Sequence, residues 1–354
     1  MNLVPSAARD LCVLSLVAGA ALLGCSEQSS PADQQSGSQT DSQSEASARG
    51  PGAIDLSPGL SNRDLLTYEH VLEAVESRVA APGSPISTQA QVIRQYTLQP
   101  VADEPDGGAL VEFAMKRVVL SIRMPNGANI SIDTDAPPVD AEPSQTRAVR
   151  SLAEIRLIIA MNVDGSVREV RGLQEAMQQI GSLPQGMGAF FDEVWFRSAV
   201  EGVYRAAEDR TSADVGDEWT VAKTSSFGDT PDAATTTYTS RLTMATDDIA
   251  TIEGSALLDI EFARVELVFG GDSRIDDQLF EFQKRWDRNR GSLLEHATIQ
   301  QAEMTVFYGG LQVGVSQRTA SRLARLSPDG VPSAMPDAES PGTEVNPGAS
   351  ESDS

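Results

Sequence analysis

The 354-residue sequence predicts an α+β fold built on one large, curved antiparallel β-sheet, half-barrel-like, with a few covering helices. Many stretches between residues 92 and 315 alternate apolar and polar side chains, as half-buried strands do. The dipeptides Asn126-Gly127 and Asp164-Gly165 separate such stretches and favour two-residue hairpin turns. Only a few segments have the three-to-four-residue spacing of amphipathic helices. We therefore expect about eight to ten strands in a single sheet.

The strands follow from alternation and turn signals. Residues 92–98 alternate, and Asp106-Gly107-Gly108 turns the chain into the next strand. In that strand the apolar residues on either side of Lys116-Arg117 are out of phase by one position, so we predict a one-residue bulge there that places both sets on one face. The last two strands are joined at Gly309-Gly310. The two out-of-phase sets are Val111, Phe113 and Met115, and Val118, Leu120, Ile122 and Met124.

Helices are predicted where apolar residues recur at steps of three and four. We expect three of them to cover the concave or open side of the sheet and a fourth, charged helix to follow near the end of the domain. These segments are Asn62–Ala80, Leu173–Ile180, Phe190–Ala207 and Asp276–Arg290.

The N-terminal residues predict an export signal. An apolar run over residues 11–23 follows Arg9 and is shorter than the about 20 residues that a membrane-spanning helix needs. It ends in Leu22-Leu23-Gly24-Cys25, which resembles the lipobox of bacterial lipoproteins. The resemblance implies signal cleavage between Gly24 and Cys25 and attachment of diacylglycerol to the Cys25 thiol. The alternative is an ordinary cleaved signal with an incidental cysteine.

Composition divides the chain into four segments. Residues 26–50 contain no Val, Ile, Leu, Met, Phe, Tyr or Trp, and residues 328–354 contain no Lys or Arg. Such segments do not bury enough apolar surface to offset the entropy of ordering. We therefore predict a lipoprotein signal peptide over residues 1–24, a disordered tether over 25–60, a single α+β domain over 61–326 and a disordered acidic tail over 327–354.

Charge and cysteine content exclude several classes of function. The net charge is −24, without a basic patch interleaved with aromatic residues, which argues against nucleic-acid binding. An acidic chain is also repelled by anionic headgroups, so the expected membrane partner is reached through the N-terminal lipid. Cys25 is the last cysteine, so the mature domain has no disulfide, thiolate metal site or cysteine nucleophile.

The domain resembles an uncharacterised family of bacterial lipoproteins. The shared features are a hairpin like Ile155–Arg171, a helical stretch, a Val-Gly-Asp-x-Trp strand start at Val215–Trp219, a Thr/Tyr-rich strand pair and a closing hairpin with Gly at its tip. The resemblance covers about Ala90 to Leu326 and lacks a proline before Gly216. It implies a lipid-anchored, mostly antiparallel β-domain without assigned catalytic residues. More distantly, the architecture resembles the half-barrels that carry lipids or lipoproteins across the periplasm.

No catalytic, metal or cofactor constellation stands out. The two histidines, His70 and His296, lie outside nucleophile-elbow and His-Glu-x-x-His contexts. We expect His70 to be solvated and His296 to be structural. Paired carboxylates for glycoside hydrolysis stay open as an alternative because Asp and Glu are abundant.

The leading functional hypothesis is a lipid-anchored, non-catalytic envelope lipoprotein that binds an apolar ligand or an envelope protein. A structural or assembly lipoprotein with a closed core is the alternative, and a carboxylate-based hydrolase is the third. Methionine is flexible and polarisable, which suits an adaptable apolar surface, although the same residues fill ordinary cores equally well. The candidate apolar ligand face consists of Met115, Met124, Met161, Met244, Phe191 and Trp195.

The residue after the predicted lipidation site indicates the destination. Ser26 occupies the position where the inner-membrane retention signal of enterobacterial lipoproteins would have Asp. By that resemblance we expect the protein in the outer membrane, facing the periplasm. Fractionation that places it wholly in the inner membrane would contradict this.

We predict that Cys25 carries the lipid anchor. Cys25→Ser removes the thiol that accepts diacylglycerol, so the variant should be soluble or uncleaved and should lose labelling by radioactive palmitate. Cys12→Ser, within the predicted signal, is the matched control and should keep the label. Palmitate labelling that survives Cys25→Ser would exclude the lipobox interpretation.

Overall fold

The computed structural model describes the chain from residue 53 to residue 330, with gaps. The predicted signal, its cleavage site at Gly24-Cys25, the turn at Gly309-Gly310 and most of the tether and tail lie outside the described residues. The described ranges are 53–80, 83, 85–138, 142–180, 191–225, 234–260, 274–308 and 311–330.

These residues form a large open antiparallel sheet with three short α-helices, which confirms the predicted fold class. The strands are β1 (Ile54–Asp55), β2 (Leu66–Ala80), β3 (Ile86–Asp103), β4 (Ala109–Arg123), β5 (Asn129–Asp133), β6 (Arg156–Met161), β7 (Val167–Arg171), β8 (Ser212–Ala213), β9 (Glu218–Ser225), β10 (Ala234–Ala245), β11 (Ile249–Ile260), β12 (Arg274–Asp287), β13 (Ser292–Tyr308) and β14 (Leu311–Arg325). The helices are α1 (Ser144–Ser151), α2 (Leu173–Ile180) and α3 (Glu193–Tyr204), with a 3₁₀ turn at Leu152–Glu154.

The main sheet has 12 strands in the order β7-β6-β4-β3-β2-β14-β13-β12-β11-β10-β9, and β5 pairs with β4. Strands β1 and β8 form a separate two-stranded sheet. Most neighbours in the main sheet are consecutive in the chain, as in a meander. The exception at its centre is the pairing of β2 with β14, which joins the N-terminal and C-terminal halves.

The predicted bulge is confirmed in β4. Gln95 pairs with Arg117 and the next residue of β3, Tyr96, pairs with Met115, so Lys116 is the extra residue. Met115 and Val118 are consequently both buried, although they are three positions apart. The bulge therefore keeps both apolar sets of β4 on one face of the sheet.

The helix predicted over Asn62–Ala80 is wrong, because this segment contains strand β2. Paired along its length with β3 and β14, β2 is a central strand, and that long-range pairing outweighs the local helical spacing. Alternation decides which side chains face the core. Leu66, Tyr68 and Leu72 are buried. Leu65, Val75 and Val79, which a helix would also have turned towards the core, are 60%, 39% and 43% exposed.

The charged helix predicted over Asp276–Arg290 is also wrong, since β12 occupies most of this segment. Phe280 and Trp286 are buried on one face, and Leu279, which the helix would have turned inward, is 43% exposed on the other. The helices predicted over Leu173–Ile180 and within Phe190–Ala207 are confirmed as α2 and α3. Helix α1 was not predicted.

Helix α3 covers part of one face of the main sheet, and we call this the inner face. The helix begins at Asp192, whose carboxylate accepts a hydrogen bond of 2.8 Å from the Trp195 backbone N–H. Its Phe196 ring then lies 5.2 Å from the ring of Phe113 on β4. Buried residues of α1 and α2 join the same hydrophobic core.

Helix α3 also protects the sheet edge at β7. The Val167 backbone N–H donates to the Glu201 carboxylate at 2.8 Å, and the Arg197 guanidinium donates to the Val167 carbonyl oxygen at 2.7 Å. These side chains occupy backbone groups that an exposed edge would offer to another strand. Helix and edge strand are therefore held together by hydrogen bonds as well as by packing.

A glycine in β11 gives the first test of the inner-face packing. A Cβ at Gly254 would collide with the Phe282 ring and with the Thr239 carbonyl oxygen, whereas a Cβ at Gly314 in β14 would meet only the Val79 carbonyl oxygen, at 3.9 Å. We expect Gly254→Ala to lower the free energy of unfolding by about 1–3 kcal/mol. Gly314→Ala, the matched control, should change it by less than about 0.5 kcal/mol. Urea denaturation measures both, and equal effects would contradict the packing of Phe282 over Gly254.

Candidate functional site

The structure brings together only part of the predicted apolar ligand face. Met115, Met161 and Phe191 are fully or almost fully buried in the hydrophobic core, and Trp195 packs against that core. Met244 lies beyond an irregularity in β10 and is 51% exposed. Met124 follows the end of β4, in the turn that leads to β5. The six residues therefore do not form one surface.

The part of the face that does assemble is packed with rings. We call Tyr68, Tyr96, Phe113, Phe191, Trp195 and Phe196 the aromatic core. Neighbouring ring centres lie between 4.9 and 6.2 Å apart, in stacked, tilted and edge-to-face arrangements. Five of these six side chains, all except Trp195, are fully buried. Ring contacts therefore fill this region, as side chains do in an ordinary protein interior.

Beside the aromatic core, four basic side chains form a row across the inner face. Arg94 on β3 pairs with His70 on β2, and His296 on β13 pairs with Lys284 on β12. Leu323 on β14 pairs with both histidines and links the two halves of the row. We call Arg94, His70, His296 and Lys284 the basic row. Both histidines of the chain lie in it.

The expectation that His70 is solvated is wrong. Its ring is half-buried, Arg94 donates to Nδ1 at 3.1 Å, and Nε2 lies 2.8 Å from the Ser321 hydroxyl. Because Nδ1 accepts from the guanidinium, Nε2 carries the proton and donates to Ser321. The Arg94 guanidinium carbon lies 4.7 Å from the centre of the Trp195 ring, at cation–π distance.

Burial sets the charge of the basic row. It lowers the pKa of His70 to about 3, with a further lowering by Arg94, and it lowers the pKa of His296 well below its usual range. Burial also lowers the pKa of Lys284 to about 8, and Glu208 partly opposes this shift. At neutral pH both histidines are therefore neutral, while Arg94 and Lys284 carry positive charge.

Charge is sorted between the two faces of the sheet. The strand registers place five cationic side chains on the inner face: Arg78, Arg94, Lys223, Lys284 and Arg325. In the described strands the registers place two carboxylates on the inner face, those of Glu76 and Asp103. Asp103 is exposed at the end of β3. Three of the five cations form ion pairs, Arg78 with Glu76, Lys223 with Glu208 and Arg325 with Asp287.

Next to the basic row, the inner face carries rings among hydroxyl and amide groups. We call Thr236, Tyr238, Phe280, Phe282, Thr298 and Gln300 the polar–aromatic patch. The Tyr238 and Phe280 ring centres are 6.0 Å apart, and those of Phe280 and Phe282 are 6.2 Å apart. Thr236 is 1% exposed and Gln300 is 8% exposed. The patch is therefore an interior surface with polar groups.

Two polar atoms of the patch lack partners. Thr236 Oγ1 and Gln300 Oε1 are buried and accept or donate no hydrogen bond in the described part of the chain. A buried polar atom without a partner costs about 1–3 kcal/mol. Such atoms are rare in native proteins and mark places where a water molecule or a ligand completes the bonding. The patch has the chemistry of a binding surface for an amphiphilic molecule.

A cleft of about 460 Å³ lies elsewhere, between the β10–β11 and β12–β13 turns. Its polar side chains are engaged with one another or with neighbouring strands. Asn289 Nδ2 donates to Asp248 at 2.7 Å, and Asp287 forms an ion pair of 2.7 Å with Arg325. None of the residues predicted to bind a ligand lines this cleft.

The described residues give little support for other sites. Burial raises the pKa of Asp192 and Glu201, but one carboxylate caps α3 and the other binds the β7 backbone. Across the described ranges no cluster of three or more His, Cys, Asp or Glu side chains is suited to hold a metal ion. The helices in those ranges are all too short or too polar to cross a bilayer.

Residues 106–267 match the model of a family described as a family of unknown function, DUF6263. The matched region runs from the turn before β4 past the end of β11 and includes all three helices. The match supports the predicted resemblance to an uncharacterised family, over part of the region that the sequence resemblance covers. No curated protein matches the chain in sequence.

Similarity to solved structures is weak. A lipovitellin structure, titled for its lipid–protein interactions, has 10% identity and a TM-score of 0.43 over 80% of this chain, which spans 27% of the lipovitellin chain. DynF from the dynemicin biosynthesis pathway of Micromonospora chersina has 7% identity and a TM-score of 0.20, covering 83% and 95% of the two chains. OpdL of Pseudomonas aeruginosa has 8% identity and a TM-score of 0.22, covering 75% and 99%. Likenesses at these TM-scores carry no conclusion about function.

Sequence reasoning missed the basic row and the polar–aromatic patch, although a signal was present. His70 alternates in phase with Tyr68 and Leu72, and Lys284 alternates in phase with Phe282 and Trp286. A period-two assignment of both segments would have placed these basic residues on the buried face. The incorrect prediction of helices in both segments obscured this alternation.

The lowered histidine pKa values predict a specific pH dependence of stability. As the pH falls below about 6.5, the unfolded chain binds protons at both histidines while the folded chain does not, so the free energy of unfolding falls. Each histidine contributes a slope of up to about 1.4 kcal/mol per pH unit. We expect His70→Asn to remove roughly half of the slope between pH 5 and 6 in urea denaturation.

The second histidine supplies the control. His296→Asn should remove a similar share, and the double variant should lose the whole histidine contribution to the slope, because the chain has only these two histidines. The slope that remains comes from carboxylates such as Glu201, whose pKa burial raises. An unchanged slope in His70→Asn would show that His70 titrates at an ordinary pKa in the folded protein.

Proposed function

We propose that the protein is a non-catalytic binding protein whose inner sheet face receives an apolar or amphiphilic ligand. The observation that supports this most is the polar–aromatic patch, where Tyr238, Phe280 and Phe282 lie beside buried polar atoms of Thr236 and Gln300 that have no partner in the described part of the chain. An apolar surface with a few convergent polar groups is the usual composition of a ligand site.

The proposal shifts the ligand site away from the methionines. Met115 and Met161 lie in the packed hydrophobic core around the aromatic rings, where a guest molecule would have to displace well-packed side chains. The polar–aromatic patch belongs to the same inner face but to different strands, β10, β12 and β13. We therefore assign the aromatic core to stability and the patch to binding.

The proposal includes a lipid anchor at Cys25 and a location in the bacterial cell envelope, in the outer membrane. It rests on the lipobox-like end of the signal and on Ser26, which follows the cysteine. Residues 26–50 of the tether, as a flexible coil of 25 residues, would have an end-to-end distance of roughly 25–30 Å, enough to lift the domain clear of the headgroups. The acidic chain itself has little affinity for an anionic membrane.

A second candidate is a structural or assembly lipoprotein with a closed core. The packing of the aromatic core favours it, because ring contacts fill the space beneath α3. The two candidates differ in what the patch contains, a ligand or only protein side chains.

The test uses two adjacent threonines of β10. Thr236 points to the inner face and is 1% exposed, whereas Thr237 lies at the next position on the outer face. We expect native mass spectrometry of the complete chain, made with Cys25→Ser and purified without detergent, to show a co-purifying amphiphile. Thr236→Trp should fill the patch and remove that molecule, and Thr237→Trp should leave it bound.

Stability distinguishes the second candidate. If the patch is closed, Thr236→Trp overpacks it and should lower the free energy of unfolding by about 1–3 kcal/mol relative to Thr237→Trp. That loss, together with the absence of any bound molecule in the unsubstituted protein, would overturn the binding proposal.

A further inference from the structure

The lysines of this chain have an unusual distribution. There are only three: Lys116, Lys223 and Lys284. Lys116 is the exposed bulge residue of β4. The other two lie on the inner face, on β9 and β12, at opposite borders of the polar–aromatic patch. Two of the three lysines therefore face the surface proposed to bind a ligand.

Both inner lysines lie against the groups of the patch. Lys223 is the cross-strand partner of Thr236, whose hydroxyl has no hydrogen-bond partner among the described residues. The Lys223 Nζ is 5.7 Å from the centre of the Tyr238 ring. Lys284 is two residues beyond Phe282 on the same strand and therefore projects from the same face. Both ammonium groups are within reach of a ligand that lies over these rings.

Among the described residues, the charged groups around Lys284 give it no ion pair of its own. Glu208 forms an ion pair with Lys223, and it also favours the charged form of Lys284. Lys223 and Arg205 both act on Lys284 as like charges. In the described part of the chain no carboxylate lies within 4.0 Å of the Lys284 ammonium. A half-buried ammonium without a close counter-ion is costly, and an anion brought by a ligand would lower that cost.

The dimensions of the surface indicate the rest of the ligand. From Lys284 to Gln278 the inner side chains of β12 run over six residues, or about 20 Å of strand. One leaflet of a bilayer with a hydrocarbon core of about 30 Å holds its acyl chains in roughly 15 Å. Phe282 and Phe280 line this path beyond Lys284. The path is therefore long enough for a single acyl chain whose head lies at Lys284.

We propose that the inner face binds a single-chain anionic amphiphile, with a carboxylate head at Lys284 and its chain along Phe282, Phe280 and Tyr238 towards Lys223. This inference rests on the proposed binding function and specifies its ligand class. Charge complementarity selects the head group, since across the described ranges no carboxylate lies within 4.0 Å of the Lys284 ammonium. The aromatic rings select a long apolar tail over a short polar anion.

The experiment compares dodecanoate with one ligand that lacks its charged head and with one that lacks its long alkyl chain. Calorimetric titration of the complete chain with Cys25→Ser uses dodecanoate, dodecanol and acetate, each below its aggregation concentration. We expect dodecanoate to bind at least tenfold more tightly than dodecanol and acetate not to bind. Lys284→Met should weaken dodecanoate binding at least tenfold and leave dodecanol binding within about twofold.

Two variants act as controls for charge and for folding. Lys284→Arg keeps the positive charge and should retain dodecanoate binding within about threefold, so a loss in Lys284→Met alone reports the charge. Lys116→Met removes the exposed lysine and should change neither affinity. Acetylation of the unsubstituted protein adds a readout that needs no variant: dodecanoate should slow modification of Lys284 and Lys223 and leave that of Lys116 unchanged.

The outcomes separate this inference from the proposed function. Equal binding of dodecanoate and dodecanol, with Lys284→Met affecting neither, would overturn the anionic head and leave an apolar site. Binding of acetate as tightly as dodecanoate would overturn the acyl chain. Absence of binding by all three ligands, with no co-purifying molecule in native mass spectrometry, would overturn both.

Discussion

The antiparallel pairing of β2 with β14 is the constraint on which the rest of the sheet depends. It runs without a break from Tyr68–Arg325 to Ala80–Val313 and joins the two halves of the chain. Without it, the described strands would form two smaller sheets, each with an additional exposed edge. With it, the inner faces of the two halves become one surface, and Tyr68 reaches across to donate a hydrogen bond of 2.7 Å to the Leu293 carbonyl oxygen.

The inner face combines two environments that serve different ends. Under α3, ring contacts between Phe113, Phe196 and their neighbours produce a buried aromatic interior, in which each aromatic pair adds about 0.5–1.5 kcal/mol beyond the burial of its area. On β9, β10, β12 and β13 the same face keeps polar atoms and lysines, which a core selected only for stability would replace with apolar groups. This polar content is the physical basis for proposing that the patch binds a ligand.

How far the sequence alone leads depends on the range of the deciding contacts. The bulge at Lys116 and the hairpins at Asn126-Gly127 and Asp164-Gly165 were predictable, because alternation phase and turn chemistry are local. The segment of β2 was mistaken for a helix because its apolar residues also recur at steps of three and four. Pairing with β3 and β14, which no local pattern encodes, made it a central strand.

The sequence by itself determined the fold class, most hairpin turns, the bulge in β4 and helices α2 and α3, since each depends on residues close together in the chain. Only the tertiary structure decided that Met244 is exposed while Met115 and Met161 are buried, because burial depends on which elements cover a strand. It also decided the basic row. His70 and His296 belong to opposite halves of the chain and share a face only because Leu323 on β14 pairs with both.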